Sequence, residues 1–207
     1  MKEEGAFAAL FSFYEKGVIK LSKTLSIPSV IALCLAAILL ITSIFFPWWG
    51  MRFYAPQYPE GLDIIVYPYK MAGDIDIVNG LNHYIGMKGF GEENFPELQF
   101  LPYIIGILAL LTLITAFLRR KSLLYGLIGL FVVGGAFGIY DIHRWLRNYG
   151  TDLDPTAPIK VDPFVPPVFG ENTLANFVTE SYFTYGSFLL GAAFFCTLFP
   201  LWRDRKR

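Results

Sequence analysis

The sequence predicts an all-α integral membrane protein: a four-transmembrane-helix bundle with an N-terminal amphipathic helix and two long outward loops, packed as a cap containing short β or extended segments. Two observations predict this class. Hydrophobic residues make up 55% of the 207 residues and the mean hydropathy is +0.48, which is more than an ordinary soluble domain carries. In addition, the apolar residues lie in long blocks that two more polar loops interrupt.

The N-terminal segment 1–27 is predicted to be a cytoplasmic interfacial amphipathic helix. Within 5–25, apolar residues recur every three or four positions, while Lys16, Lys20 and Lys23 lie elsewhere around the helix. This pattern is typical of a helix that lies on a membrane surface. A helix that packs on the ends of its own bundle agrees with it equally well.

The membrane domain, 28–207, holds four apolar stretches that are long enough to cross about 30 Å of hydrocarbon at about 1.5 Å per residue. They are 29–49, 101–118, 122–145 and 182–201. In lipid such segments must be helical, because no water is present to satisfy an open backbone. They hold almost no ionisable residues, which argues against a pump, an ion-coupled transporter or a channel. The third stretch carries small residues for close helix packing, namely Gly126, Gly129, Gly134, Gly135 and Gly138.

The distribution of charge predicts the orientation. Of the 17 Lys and Arg residues, 11 lie in the N-terminal segment, the turn 119–121 and the tail 203–207, whereas the acidic residues favour the two loops. Basic residues concentrate on the cytoplasmic side. We therefore expect a multi-pass protein of the cytoplasmic (inner) membrane, with both termini cytoplasmic and the loops 50–100 and 146–181 outside. Its expected partners are the lipid bilayer and other membrane or periplasmic proteins, with no nucleic acid.

Both outward loops are longer than topology requires, and loops of this length are usually functional or folded. The first contains a β-like apolar run at 62–67, followed by a turn at 73–74. The second is rich in proline, which favours an extended ribbon. It is also too apolar to be a free linker. We expect this ribbon to pack over the first loop, so that the two form one cap.

The residues that best indicate chemistry lie in or beside this cap. In a helical turn, His83 and Met87 stand at positions i and i+4, so an imidazole nitrogen and a thioether would project from one face. Cu(I) prefers these donors to the oxygen ligands that suit Mg, Ca or Mn. The sequence therefore predicts a copper site formed by His83, Met87 and His143, with Met71 or Asp141 as a further ligand.

Simpler interpretations of the same residues stay open. In one of them, Met87 packs in the core of its own loop and His83 makes a single hydrogen bond. In another, His143 pairs with a nearby carboxylate while Asp141 holds Arg144 or Trp145. No nucleophile elbow, P-loop or zinc-protease motif is present in the sequence, so no enzymatic activity is predicted.

Five loop segments carry a resemblance: 55–62 (APQYPEGL), 81–87 (LNHYIGM), 153–160 (LDPTAPIK), 166–167 and 174–177. They resemble a family of uncharacterised bacterial membrane proteins with LNHYIGM and LDPxAPI loop motifs. Its members are often found near nitrous-oxide-reductase maturation and copper-handling genes, which implies a copper-related role. The relatives carry a histidine after the Tyr-Gly that precedes Leu-Asp-Pro, whereas this chain has Thr151. If that histidine is a ligand in them, this chain has lost it or uses His143 instead.

Two classes of function are predicted. The first is a membrane protein that handles a soft metal, most concretely copper, at the outer face of the cytoplasmic membrane, in an accessory or maturation role. The second is a non-catalytic structural or accessory subunit of a membrane-bound respiratory or oxidoreductase complex. In that case, the cap and its aromatic rim are docking surface and the histidines are incidental.

Overall fold

A computed structural model describes residues 24–174 and 177–205. This part of the chain contains five α-helices, five β-strands and two 3-10 helices of three and four residues. The helices are α1 (Ile27–Ser43), α2 (Ile75–Tyr84), α3 (Leu101–Leu118), α4 (Lys121–Thr151) and α5 (Tyr185–Arg203). The strands are β1 (Trp49–Ala55), β2 (Tyr58–Tyr67), β3 (Lys70–Gly73), β4 (Gly170–Leu174) and β5 (Phe177–Phe183). The amphipathic helix predicted at 1–27 lies almost wholly outside the described residues.

The prediction of an all-α four-helix bundle is wrong, because the fold is mixed α/β. The five strands form one antiparallel sheet in the order β3-β2-β1-β5-β4. The error lies at the ends of two apolar blocks: the sequence predicts helix through Trp49 and again from Tyr182, whereas Trp49 begins β1 and Tyr182 lies in β5. An apolar run alone does not distinguish a buried strand from a helix.

Among the described residues, three helices are long and apolar enough to cross a membrane: α3, α4 and α5, with 18, 31 and 19 residues. Helix α1 is also apolar but has only 17 residues. It packs against both α3 and α5 through small side chains, including Ala36 and Ala37 of α1, Ala109 of α3 and Ala193 of α5, all of which are buried. Small residues at such contacts let helix backbones approach closely.

The sheet is joined directly to the ends of α1 and α5. The Trp48 amide donates to Val66 O of β2 (2.8 Å), and the Thr184 amide, between β5 and α5, donates to Trp48 O (3.1 Å). The Gly186 amide donates to Pro47 O (2.7 Å), where an added Cβ would lie 2.3 Å from the Trp48 ring. The sheet is thus fixed to the apolar helices. We call the sheet, α2 and the proline-rich ribbon 152–169 together the cap.

At the end of the helices remote from the cap, Asp204 links α5 to α1. Its buried carboxylate accepts hydrogen bonds from the Ser26 amide (3.0 Å) and the Ser29 hydroxyl (2.6 Å) at the start of α1. The Lys121 ammonium at the start of α4 donates to the Asp204 carbonyl (2.8 Å). A carboxylate at the N-terminus of a helix satisfies free amides and complements the helix dipole. This network therefore holds three helix ends together.

Helix α4 is packed at its two ends and free between them. Leu124 and Leu127 are buried near its start, and Leu146 and Tyr149 are buried near its end. From Val132 to Tyr140 every residue is exposed, on all sides of the helix. Of an apolar 18-residue stretch of α4, only 11% is buried within the described structure, against 28% for the corresponding stretch of α3. We call residues 132–140 the free segment.

Candidate functional site

Helix α2 is positioned beside the sheet by a turn at Gly73 that only glycine permits. Gly73 ends β3 with a φ of +102°, and a Cβ there would lie 2.0 Å from Asp63 O of β2. Helix α2 begins two residues later and runs across the sheet to Tyr84. Gly86 then has a φ of +77°, which turns the chain back, and the Met87 amide donates to Asn82 O (2.9 Å). Positive φ values of this kind favour glycine.

Three backbone hydrogen bonds hold the ribbon in place, two to the end of α2 and the turn after it, and one to the end of α4. The amides of Asp154, Ile159 and Phe164 donate to the carbonyls of Gly86 (2.8 Å), Tyr84 (3.0 Å) and Gly150 (2.9 Å). At Gly150 a Cβ would lie 2.0 Å from the Phe164 carbonyl oxygen, so the close approach of these two backbones requires glycine. The ribbon is therefore attached along its length, although it has no regular secondary structure.

These elements enclose an apolar cavity of about 50 Å³. It lies between one face of the sheet, α2 with its following turn, the C-terminal end of α4, and the ribbon. Among the described residues, none of the side chains that line it is charged: they are Met51, Phe53, Val78, Leu81, Asn82, Ile85, Met87, Phe90, Leu146, Tyr149, Phe164, Pro166 and Thr179. We call it the cap cavity.

The structure does not place His83 and Met87 on one helical face. Helix α2 ends at Tyr84, so the i, i+4 relation that the sequence predicts is not formed. His83 is exposed, whereas Met87 is half-buried and lines the cap cavity. Because the chain reverses at Gly86, the side chains of His83 and Met87 point in different directions. Met87 instead shares the cavity with Met51 of β1.

The other three predicted ligands lie apart from the cavity. His143 is exposed on α4, and Met71 is buried in β3. Asp141 accepts two hydrogen bonds from Arg144, from Nε (3.0 Å) and from the terminal nitrogen (2.7 Å). Within 24–174 and 177–205, no three His, Cys, Asp or Glu residues are grouped so that they could hold a metal ion.

An ion-pair cluster lies near the C-terminal end of α4, and sequence reasoning found only part of it. Arg144 also donates to Glu97 (2.7 Å), which precedes α3, and its guanidinium lies over the Trp145 ring at 5.0 Å. The Trp145 indole donates to the same Glu97 oxygen (3.3 Å). Arg144 therefore joins α4 to the start of α3. Glu97 was not predictable as a partner, because it lies 47 residues away in the chain.

Sequence reasoning also missed Met51 as a lining residue, although a local signal exists. In β1 the residues Trp49, Met51, Phe53 and Ala55 stand at every second position, with Gly50, Arg52 and Tyr54 between them. Such alternation of apolar and more polar residues indicates a strand with one face toward a core. The block WGMRFYA could thus have been identified as a strand that turns Met51 inward.

The opposite face of the sheet carries a separate polar group. Arg52 donates through two nitrogens to the two oxygens of Asp63 (2.7 and 2.8 Å), and the Tyr182 hydroxyl donates to Asp63 at 3.3 Å. The hydrogen bond from Arg52 lowers the pKa of Asp63, and the pKa of Arg52 is raised by the same bond. Burial raises the pKa of Tyr182. Because these side chains cross three strands, they fix the register of β1, β2 and β5.

The cap cavity has room for a small molecule, and its lining supports binding rather than acid–base chemistry. The Tyr149 hydroxyl is its most acidic group, and it already donates to Gly89 O (3.1 Å). No protein-family model matches the chain, and no curated protein matches it either. Any functional conclusion therefore rests on this geometry and on the free segment of α4.

Proposed function

We propose that the protein is a non-catalytic accessory subunit of a membrane-bound complex, and that it docks to a partner through the free segment of α4. The observation that carries this proposal is the exposure of every residue from Val132 to Tyr140, on all sides of an apolar helix. At about 1.5 Å per residue, the segment covers about 14 Å, or nearly half of the hydrocarbon thickness.

The glycines of the free segment support a protein partner. Gly134, Gly135 and Gly138 lie within five positions, and a Cβ at each would meet nothing within 4 Å. Glycine in a helix interior costs about 0.5–1 kcal/mol relative to alanine. No contact within the described chain offsets this cost. A second helix whose backbone comes close to α4 would offset it, because small residues permit such contacts in membranes.

Lipid is a weaker explanation for the same segment. Acyl chains are fluid and fill the space around a methyl group as readily as around a hydrogen atom, so they give no reason for three glycines. The proposal also includes the sidedness that the basic residues predict: both termini in the cytoplasm and the cap outside the cytoplasmic membrane. A partner helix would then cross the bilayer beside α4.

Site-specific photocrosslinking in native membranes tests this proposal. A photoreactive amino acid at Phe137, which is 62% exposed in the free segment, is expected to give one discrete product with a different membrane protein. Mass spectrometry of that product identifies the partner. The matched control is Phe195 of α5, which is also apolar and 71% exposed, and which is expected to give only lipid adducts.

Two results would contradict the proposal. Lipid adducts alone at Phe137 would show that the free segment faces the bilayer. A product of twice the mass of the chain would show that the segment pairs with a second copy. The identity of the partner would also test the respiratory or oxidoreductase assignment, because a partner without redox cofactors would exclude it.

Handling of copper stays a prediction, and the geometry favours it less. Its proposed ligands are distributed over an exposed His83, an exposed His143 and a Met71 in the sheet. A site that joined His83 to Met87 would require the turn at Gly86 to rearrange.

A further inference from the structure

We propose that the cap cavity binds one small, uncharged, apolar molecule of the size of a dissolved gas. Its volume is about 50 Å³. A cavity needs about 10–15 Å³ to hold one water, and an apolar cavity of about 150 Å³ binds benzene or xenon. The cap cavity is therefore too large for a simple packing gap and too small for a drug-sized ligand or a whole lipid.

Water is a poor occupant of this cavity. Its only amide and aliphatic hydroxyl side chains belong to Asn82 and Thr179, and both have partners: the Asn82 amide donates to Lys88 O (3.4 Å) and the Thr179 hydroxyl donates to Asn172 O (3.3 Å). A buried water typically makes about three hydrogen bonds. Because the remaining lining residues are apolar or, like Tyr149, already bonded, a water molecule would lose most of its partners on entry.

Polarisable groups make the same cavity favourable for an apolar guest. Met51, Met87, Phe53 and Phe90 all line it, and thioethers and aromatic rings provide strong dispersion contacts. Met51 and Met87 come from β1 and from the turn after α2, so the guest would contact both parts of the cap. These contacts require no charge and no directional hydrogen bond.

A soft cation is disfavoured although two thioethers are present. Within the described part of the chain, no carboxylate, thiol or imidazole lines the cavity, so the charge of Cu(I) would be buried without a counter-charge. An uncompensated buried charge is far more costly than a buried neutral molecule. The chemistry of the lining therefore favours a neutral guest.

The cavity is not sealed by buried side chains on every side. Five of its lining residues are only half-buried: Phe53 of β1, Leu81, Ile85 and Met87 of α2 and the turn after it, and Phe164 of the ribbon. A guest would enter past these side chains. The hydrogen bonds from Asp154 and Ile159 to Gly86 and Tyr84 hold the ribbon beside α2.

Methionine methyl NMR with xenon as the probe tests the proposal on the full-length chain in nanodiscs. The chain has four methionines, so labelling them with ¹³C at the methyl group gives few signals. Xenon is expected to shift the Met51 and Met87 signals in a saturable way. Met71 is the internal control, because it is buried in the cap but does not line the cavity. No saturable shift, or an equal shift at Met71, would overturn the proposal.

Substitutions that fill the cavity provide the second arm. Leu81→Trp and, independently, Ile85→Phe are expected to abolish the xenon response of Met51 while the Met71 signal keeps its position, which shows that the cap is folded. Leu153→Trp is the matched control, because Leu153 is also a half-buried leucine of the cap but lies outside the cavity lining. A response that persists in both filled variants would contradict the assignment.

Silver(I), a redox-stable substitute for Cu(I), distinguishes the two chemistries. A neutral guest needs only an apolar surface, so Met87→Leu is expected to retain the xenon response at Met51. A saturable silver response at Met51 and Met87, without a xenon response, would overturn the proposal in favour of a soft-metal site. None of these outcomes bears on docking by the free segment, which photocrosslinking tests separately.

Discussion

Replacement of Gly134 and Gly138 by alanine is expected to stabilise the isolated chain and to weaken its docking. The two residues stand four positions apart in the free segment, and neither has a positive φ. A Cβ at either position meets nothing within 4 Å. The chain itself therefore accepts both methyl groups without a clash, whereas a partner helix in close contact with the glycines does not.

The magnitudes follow from these contacts. Each Gly→Ala change in a helix interior stabilises by about 0.5–1 kcal/mol, so the two together contribute about 1–2 kcal/mol. At a close helix–helix contact, the added methyl groups overpack the interface at a cost of about 1–3 kcal/mol. That cost corresponds to docking that is about 5- to 150-fold weaker.

Reversible unfolding of the purified chain in increasing mole fractions of SDS measures the first effect, and the crosslinking yield from Phe137 measures the second. Gly191→Ala in α5 is the matched control, because its Cβ also meets nothing within 4 Å. We expect it to stabilise the chain without any change in crosslinking. A double variant that is less stable than the wild type would refute the reasoning, since the glycines would then serve packing within the chain.

Three further predictions concern the cap, each measured by the free energy of unfolding. Gly73→Ala is expected to destabilise the fold by about 1–3 kcal/mol, and by more than the control Gly170→Ala. Both glycines have a positive φ, but of the two only Gly73 faces a backbone oxygen at 2.0 Å. Equal losses of stability in the two variants would contradict this. Tyr149→Phe is expected to cost about 0.5–1.5 kcal/mol of stability, because it removes one hydrogen bond. Tyr149→Ala is expected to cost about 3–5 kcal/mol, because it removes a buried ring that is stacked on its neighbours. Equal costs would show that the ring does not pack as described. Because Arg52 lowers the pKa of Asp63, the pair stabilises the fold above the unfolded pKa near 3.8, and this contribution is lost as the pH falls through the folded pKa. Asp63→Asn is therefore expected to cost less than about 1 kcal/mol of stability at neutral pH, since the pair is about one-third exposed. A loss of stability that does not shrink at low pH would contradict the ion pair.

The sequence was sufficient to find the apolar helices but not the sheet. Long apolar stretches indicate membrane helices because lipid leaves the backbone no other way to satisfy its polar groups. Strand pairing has no comparable local signal. Trp49 of β1 pairs with Phe183 of β5, and nothing near either residue specifies a partner so distant in the chain. The alternation within WGMRFYA indicates a strand, yet it cannot indicate which strands flank it.

Sequence reasoning predicted a copper site and did not predict the cap cavity. Met87, one of the predicted ligands, lines this cavity, but its pairing with His83 depends on a helix that continues past Tyr84. Gly86 was the local signal against this continuation, because glycine with a positive φ commonly ends a helix. Met51 could not be assigned to the same cavity from the sequence, since that contact exists only after β1 and α2 have packed together.

Helix α4 is the element that connects the two proposed sites. Its free segment would contact the partner, and Leu146, about one and a half turns beyond Tyr140, lines the cap cavity. Between them, Arg144, which Asp141 holds within α4, donates a hydrogen bond to Glu97 and so joins α4 to the residues just before α3. A partner that tilts the free segment must therefore either break this ion-pair cluster or move Leu146 with the helix. If docking changes the affinity of the cavity for its guest, the guest must change the affinity for the partner by the same factor, because the two equilibria are linked.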